Sequence, residues 1–185
     1  IIFYGLHNNF IFVKNHLSII NMESISVFEI IKVGIGPSSS HTMGPWNAAE
    51  MFLSEIRRNH QISEVAEVYV EFFGSLAKTG IGHGTDIAGM LGLSGENFKK
   101  IDTDKIDTKI AEIKNSGKLI LGAEKEIPFI YGKHLVLNMQ KSLDFHPNGM
   151  IFKAVFNNGE ILEKDYYSVG GGFVATQKDN SIESH

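Results

Sequence analysis

Four short polar clusters interrupt the apolar pattern of this sequence, and each carries residues able to do chemistry. The first is Gly36-Pro37-Ser38-Ser39-Ser40-His41-Thr42, immediately before an amphipathic stretch. Free backbone N–H groups and the positive dipole end of a helix favour a carboxylate or phosphate, and the hydroxyls of Ser38, Ser39, Ser40 and Thr42 add to that pocket. The plainer reading is a helix N-cap made by Ser40 or Thr42, for which one residue suffices. The second cluster, Gly80-Ile81-Gly82-His83-Gly84-Thr85-Asp86, has glycines at alternate positions. These permit close backbone approach or positive φ and leave His83 unshielded, while Thr85 and Asp86 read equally well as helix caps. The third, Phe145-His146-Pro147-Asn148-Gly149-Met150, is a turn by composition, in which His146 is by default an exposed loop histidine. The fourth, Tyr166-Tyr167-Ser168-Val169-Gly170-Gly171-Gly172-Phe173, is a strand running into three glycines: a bulge, a hinge or a close contact with another domain.

His41, His83 and His146 are thus the histidines that fall in special loops, and a side chain titrating near neutrality suits proton transfer. The other five occupy the N-terminal stretch (His7, His16), a helix end (His60), a strand entry (His134) and the C-terminus (His185). No local pair at i, i+4 spacing supports a metal site. The adjacent Ser40 and His41 do not make a hydrolase either, since neighbouring side chains point apart and no G-x-S-x-G elbow is present.

The elements around these clusters follow from periodicity. Val27, Ile30 and Ile31 space a short helix over 26–32, ended by Gly34 and Gly36-Pro37. Residues 42–58 read as the main helix, with Trp46, Ala49, Met51, Phe52, Leu53 and Ile56 recurring every three to four residues and Pro45 tolerated in the first turn. Val65–Phe73 alternates as a strand with Val68, Val70 and Phe72 inward. A glycine-rich turn then leads to a short helix from Thr85 or Asp86, and a polar, exposed helix covers 104–116. Strands are expected near 118–121, 134–138, 150–156 and 161–169, with Asn157-Asn158-Gly159 as the hairpin turn between the last two. That order predicts an α+β domain with a mixed or antiparallel sheet packed with helices.

With 185 residues, 43% hydrophobic and 21% charged, the chain is expected to form one domain with an ordinary core. A net charge of −4 gives no basic footprint for nucleic acid. The sequence has no cysteine, which excludes disulfides and thiolate-held clusters in this chain and fits a cytoplasmic protein. Residues 1–21 are apolar-rich but broken by His7, Asn8, Asn9, Lys14, Asn15 and His16, and match neither a membrane span nor a signal peptide. They read as a leader outside the domain, either a loose tail or a packed extra strand or helix. The domain then runs over 22–178 from Met22, with 179–185 as a tail or linker.

The strings GPSSSHTMGP, GHGTD, HPNGM and YYSVGGGF, in this order, resemble the β domain of the iron–sulfur-dependent L-serine dehydratases. Weaker agreement at ISVFEI, GLSGE and KEIPF extends the likeness over about residues 24–178. GLSGE and the terminal YYSVGGGFV are more similar to the single-chain bacterial form, in which a cysteine-bearing α domain follows. The resemblance implies conversion of L-serine to pyruvate and ammonia. In the complete enzyme a [4Fe–4S] cluster with an open iron acts as Lewis acid on the serine hydroxyl, and a base removes the α-proton. It implies that the cluster belongs to the α domain and that none is held by this chain, so this chain alone is inactive. It further implies a fold like the substrate-binding regulatory domain of some phosphoglycerate dehydrogenases, and a homo-oligomer is expected, with no membrane or nucleic-acid partner. By position, Ser38, Ser39, Ser40 and Thr42 hold the substrate carboxylate, and His41, His83 and His146 orient groups or transfer protons, with Asp86 and Asn148 in support. The rival reading is a freestanding module that binds serine or a similar anion without catalysis.

Overall fold

The computed structural model describes residues 17–19 and 38–177. The expected helix over 26–32 lies outside them. The main helix, α1 (Met43–Asn59), buries Trp46, Ala49, Phe52, Leu53 and Ile56 along one stripe. It is followed by β2 (Val65–Phe73), in which Val68, Val70 and Phe72 point inward as their alternation requires. Three of the 1–21 residues form the strand β1 (Leu17–Ile19), so at those positions the leader takes its packed-strand alternative.

Beyond β2 the chain makes two helical turns that the glycine content conceals, α2 (Gly74–Lys78) and α3 (Gly80–His83). The glycine-rich stretch is therefore helical rather than an open turn. Gly84, at φ 68°, breaks direction between α3 and α4 (Thr85–Leu93), a conformation that costs a side-chain-bearing residue about 1–2 kcal/mol. The polar helix α5 (Ile106–Ser116) turns Ile106, Ile110 and Ile113 inward. The expected strands appear as β3 (Lys118–Leu121), β5 (Leu135–Asn138), β6 (Gly149–Phe156) and β7 (Ile161–Gly170). Two more, β4 (Lys125–Pro128) and β8 (Phe173–Gln177), were not expected.

The sheet runs β1-β8-β7-β6-β2-β5, with β3 and β4 as a separate hairpin. It is mixed: β2 pairs with β5 in parallel, and its other pairings are antiparallel. Phe52 joins α1 to the sheet, its ring centroid 5.5 Å from that of Phe152, which in turn lies 5.6 Å from Tyr166 and 6.4 Å from Phe72 on the neighbouring strands. Helices α1 and α4 approach closely because Gly92 is bare; a Cβ there would stand 2.7 Å from Ala49 Cβ. Gly170, the last residue of β7, and Gly171 and Gly172 after it all have positive φ, and the β7–β8 register shifts between Ser168 and Gly170.

This topology decides where the polar clusters go. Phe72 pairs with Met150 and Gly149 with Tyr167, so the end of β2, the start of β6 and the end of β7 share one end of the sheet. The parallel partner β5 also finishes there, with Asn138 opposite Phe73.

Candidate functional site

The segment Ser38–Thr42 reaches α1 through a turn that uses several of its own donors. Thr42 N–H donates to Ser38 O at 2.9 Å and Gly44 N–H to Ser39 O at 3.1 Å, while Pro45 has no N–H. No side chain caps α1, because the Thr42 hydroxyl donates to His83 O at 3.0 Å. The simple side-chain cap is therefore not formed, and the one Thr42 hydroxyl hydrogen is engaged with the His83 carbonyl.

His41 and His83 come together, ring centroids 5.0 Å apart. Thr85, at the start of α4, donates its hydroxyl to His41 O at 2.9 Å. His41 Nε2 lies 3.3 Å from Ser75 O and 3.1 Å from Ser75 Oγ. Its Nδ1 lies 3.1 Å from Ser40 Oγ and 3.3 Å from Ser38 Oγ, with the two hydroxyls 3.1 Å apart. Burial holds the ring's pKa below its usual value, and the nearby His83 adds to that, against the raising effect of the Ser75 carbonyl. His83 Nδ1 donates to Thr79 O at 2.9 Å, since a carbonyl only accepts. In the neutral ring its Nε2 then carries the lone pair.

His146 belongs to the neighbouring loop, with Nδ1 accepting the Asn148 N–H at 3.1 Å. Its neutral ring therefore carries the proton on Nε2. Two serines tie this loop to the first cluster. Ser75 N–H donates to Pro147 O at 3.0 Å while Ser75 also faces His41. Ser168, fully buried, donates its hydroxyl to Ser40 O at 2.7 Å and its N–H to Asn148 O at 3.0 Å. Its carbonyl accepts from Asn148 Nδ2 at 3.3 Å. Asn148 Oδ1 is buried with no hydrogen-bond partner among the described residues. Glycines make these approaches possible. A Cβ on Gly44 would stand 2.1 Å from Ser168 Oγ, and one on Gly74 would stand 2.2 Å from Pro147 O.

Asp86 is not gathered with the histidines by these bonds. Its buried carboxylate accepts from Tyr131 Oη at 2.9 Å and pairs with Lys114 Nζ at 3.2 Å, and the Lys114 ammonium sits 4.2 Å over the Tyr131 ring. This bonding fastens α4 to α5. The sequence reading missed Ser75 and Ser168. Ser168 was legible as a lone hydroxyl breaking an aromatic strand, whereas nothing around Ser75 distinguishes it from an ordinary helix start.

The donor set does not suit an iron–sulfur cluster, for the chain has no cysteine. Nor is any group of three or more His, Asp or Glu among the described residues arranged to hold a metal ion. What the fold defines is an α+β domain, a mixed sheet packed against helices, with a histidine and serine cluster at one end of the sheet. Residues 26–179 match the serine dehydratase beta chain family, and the chain belongs to it. It is 46% identical over 155 residues to the L-serine dehydratase of Streptomyces coelicolor, covering 83% of this chain and 34% of that protein. The L-serine dehydratases of Mycobacterium tuberculosis and Helicobacter pylori are 42% and 39% identical over 84% and 85% of this chain, again 34% of their own length. The chain thus spans about a third of the curated relatives it matches.

Proposed function

We propose that this chain is the substrate-binding β part of an L-serine dehydratase, acting with a cysteine-bearing partner domain to convert L-serine to pyruvate and ammonia. The observation that carries the proposal is the His41–His83 pair set among Ser38, Ser40 and Ser75 at one end of the sheet, in a chain of this family. His83 is the proton acceptor of the three histidines, because Thr79 O holds its Nδ1 proton and leaves the lone pair on Nε2. His41 orients the serine loop, and the Nε2–H of neutral His146 offers a donor. The [4Fe–4S] cluster that the family resemblance implies would be held by the partner's cysteines.

Apolar side chains beside the site support a partner that closes over it. Ile81, Phe145 and Val169 are 66%, 37% and 42% exposed, and each lies within two residues of a residue named in the site, His83, His146 or Ser168. Such side chains bury favourably against another domain. The test is reconstitution. Co-expression with the cysteine-bearing region of a relative should give pyruvate from L-serine, and the chain alone should give none and take up no cluster. Turnover by the chain alone, or none in the pair despite stable association, sinks the proposal; serine binding without turnover would favour a freestanding sensor.

A further inference from the structure

The hydrogens of this site have a direction. His41 Nε2 lies 3.3 Å from the Ser75 carbonyl, which only accepts, and 3.1 Å from the Ser75 hydroxyl, which can accept too; the neutral tautomer that serves both oxygens carries the proton on Nε2 and the lone pair on Nδ1. Burial favours that neutral ring. Nδ1 faces the hydroxyls of Ser40 and Ser38, which also contact each other. Each hydroxyl has one hydrogen. One goes to Nδ1 and the other bridges the two serine oxygens, so both point into the protein. What Ser38 and Ser40 present to a ligand is lone pairs.

Donors next to the serines are committed as well. The Thr42 hydrogen is held by His83 O, and the N–H groups of Thr42 and Gly44 are held by the preceding turn. The neighbouring Asn148 Oδ1 is a further acceptor with no donor among the described residues. A carboxylate placed here meets oxygen lone pairs. It binds only if the relay turns over, which needs a proton on His41 Nδ1 and so the charged ring that burial disfavours. A group rich in donors meets the arrangement as it stands.

We infer that Ser38 and Ser40 receive the ammonium group of the amino-acid substrate, not its carboxylate. This rests on the site proposed above and reverses the carboxylate assignment that the serine-rich loop suggests in sequence. It also gives His83 a task, for its ring lies 5.0 Å from that of His41, so an ammonium on the serines brings the adjacent α-carbon toward the His83 Nε2 lone pair.

The test uses this chain at a pH well above the usual histidine value of 6.5. Nitrogen-15 NMR of the rings should show His41 protonated on Nε2 and bare on Nδ1. Three probes are then titrated by NMR: L-serine, ethanolamine, which lacks the carboxylate, and 3-hydroxypropanoate, which lacks the ammonium. Ser40→Ala should weaken L-serine and ethanolamine about ten- to a hundredfold and leave 3-hydroxypropanoate unchanged. Ser40→Thr, which keeps the hydroxyl, should restore binding. A proton on His41 Nδ1, or a Ser40→Ala variant that loses 3-hydroxypropanoate but keeps ethanolamine, overturns the inference while leaving the site in place. If the parent chain binds none of the three, the site itself falls and the inference with it.

Discussion

The backbone carbonyls of His41 and His83 are each held by a threonine from the other's segment. Thr42, next to His41, donates to His83 O at 3.0 Å, and Thr85, two residues after His83, donates to His41 O at 2.9 Å. The exchange locks the two loops in register, so the 5.0 Å ring contact follows from backbone bonding rather than from attraction between the rings. Both threonines are buried. Thr42→Val or Thr85→Val keeps the shape but leaves a carbonyl unpaired, which costs about 1–3 kcal/mol. Urea denaturation should show each loss, and the double variant should lose less than the two together because they act on one junction. Simple additivity would mean that the loops are positioned independently.

A second packing constraint lies on the other side of the serine loop. Gly44 sits inside α1, where alanine is favoured by about 1 kcal/mol, yet a Cβ there meets Ser168 Oγ at 2.1 Å and Ser168 Cβ at 2.6 Å. Gly44→Ala should therefore destabilise by about 1–3 kcal/mol despite its propensity gain. Ser168→Gly in the same chain removes the clash, though it also removes the hydroxyl bond to Ser40 O. Partial recovery of the thermal midpoint in the double variant is the expected result. A Gly44→Ala chain as stable as the parent would show that α1 and β7 separate at little cost.

Much of this was legible in the residues. The spacing of Trp46, Ala49, Phe52 and Ile56 predicts α1, and the alternation in Val65–Phe73 matches β2 to the residue. What periodicity hides is anything set by long-range pairing. The short strand β8 follows three glycines, and β4 covers only Lys125–Pro128, so neither gives a clear alternation. The parallel β2–β5 pairing is invisible locally. The four polar strings identify the site loops, yet sequence alone assigns Thr42 and the serines as free donors. Hydrogen-bond direction depends on Ser75, 34 residues away from His41, and no local pattern encodes it. Asp86 is similar, since its place in a motif implies a supporting role at the site, while its bonds to Lys114 and Tyr131 join residues far apart in sequence.

The pH dependence of stability has a definite sign. His41 and His134 both have pKa values below the usual 6.5, each chiefly through burial. His134 is fully buried, with Nδ1 accepting the Ile130 N–H at 2.7 Å and Nε2 3.6 Å from Glu67 Oε1. As pH falls below about 6.5 the unfolded chain takes up protons that the folded chain resists. The unfolded state then binds more protons, so stability falls with pH through the folded pKa values and is full above 6.5. Denaturation midpoints should be flat above neutrality and decline on the acid side. His134→Gln should lower stability everywhere but flatten that decline, and an unchanged acid slope would remove His134 from the account.

The last prediction separates the three histidines by their bonds. His83 holds its proton on Nδ1 through Thr79 O, leaving Nε2 to accept. His41 has both nitrogens engaged within the loop, and His146 accepts at Nδ1 from Asn148. In the chain reconstituted with a cysteine-bearing partner, His83→Gln removes the Nε2 lone pair of a base. Its kcat should fall by about 10²–10⁴-fold, with the acid limb of the pH–rate profile lost. His41→Gln should act mainly on KM, because it releases the Ser38–Ser40 relay from its acceptor without removing a reacting group. His146→Gln keeps a terminal amide donor and should be the mildest of the three. Steady-state kinetics across pH would check the order. If His41→Gln erased the acid limb and His83→Gln left it in place, the proton acceptor would be His41, and the tautomer imposed by Ser75 would have to invert on binding.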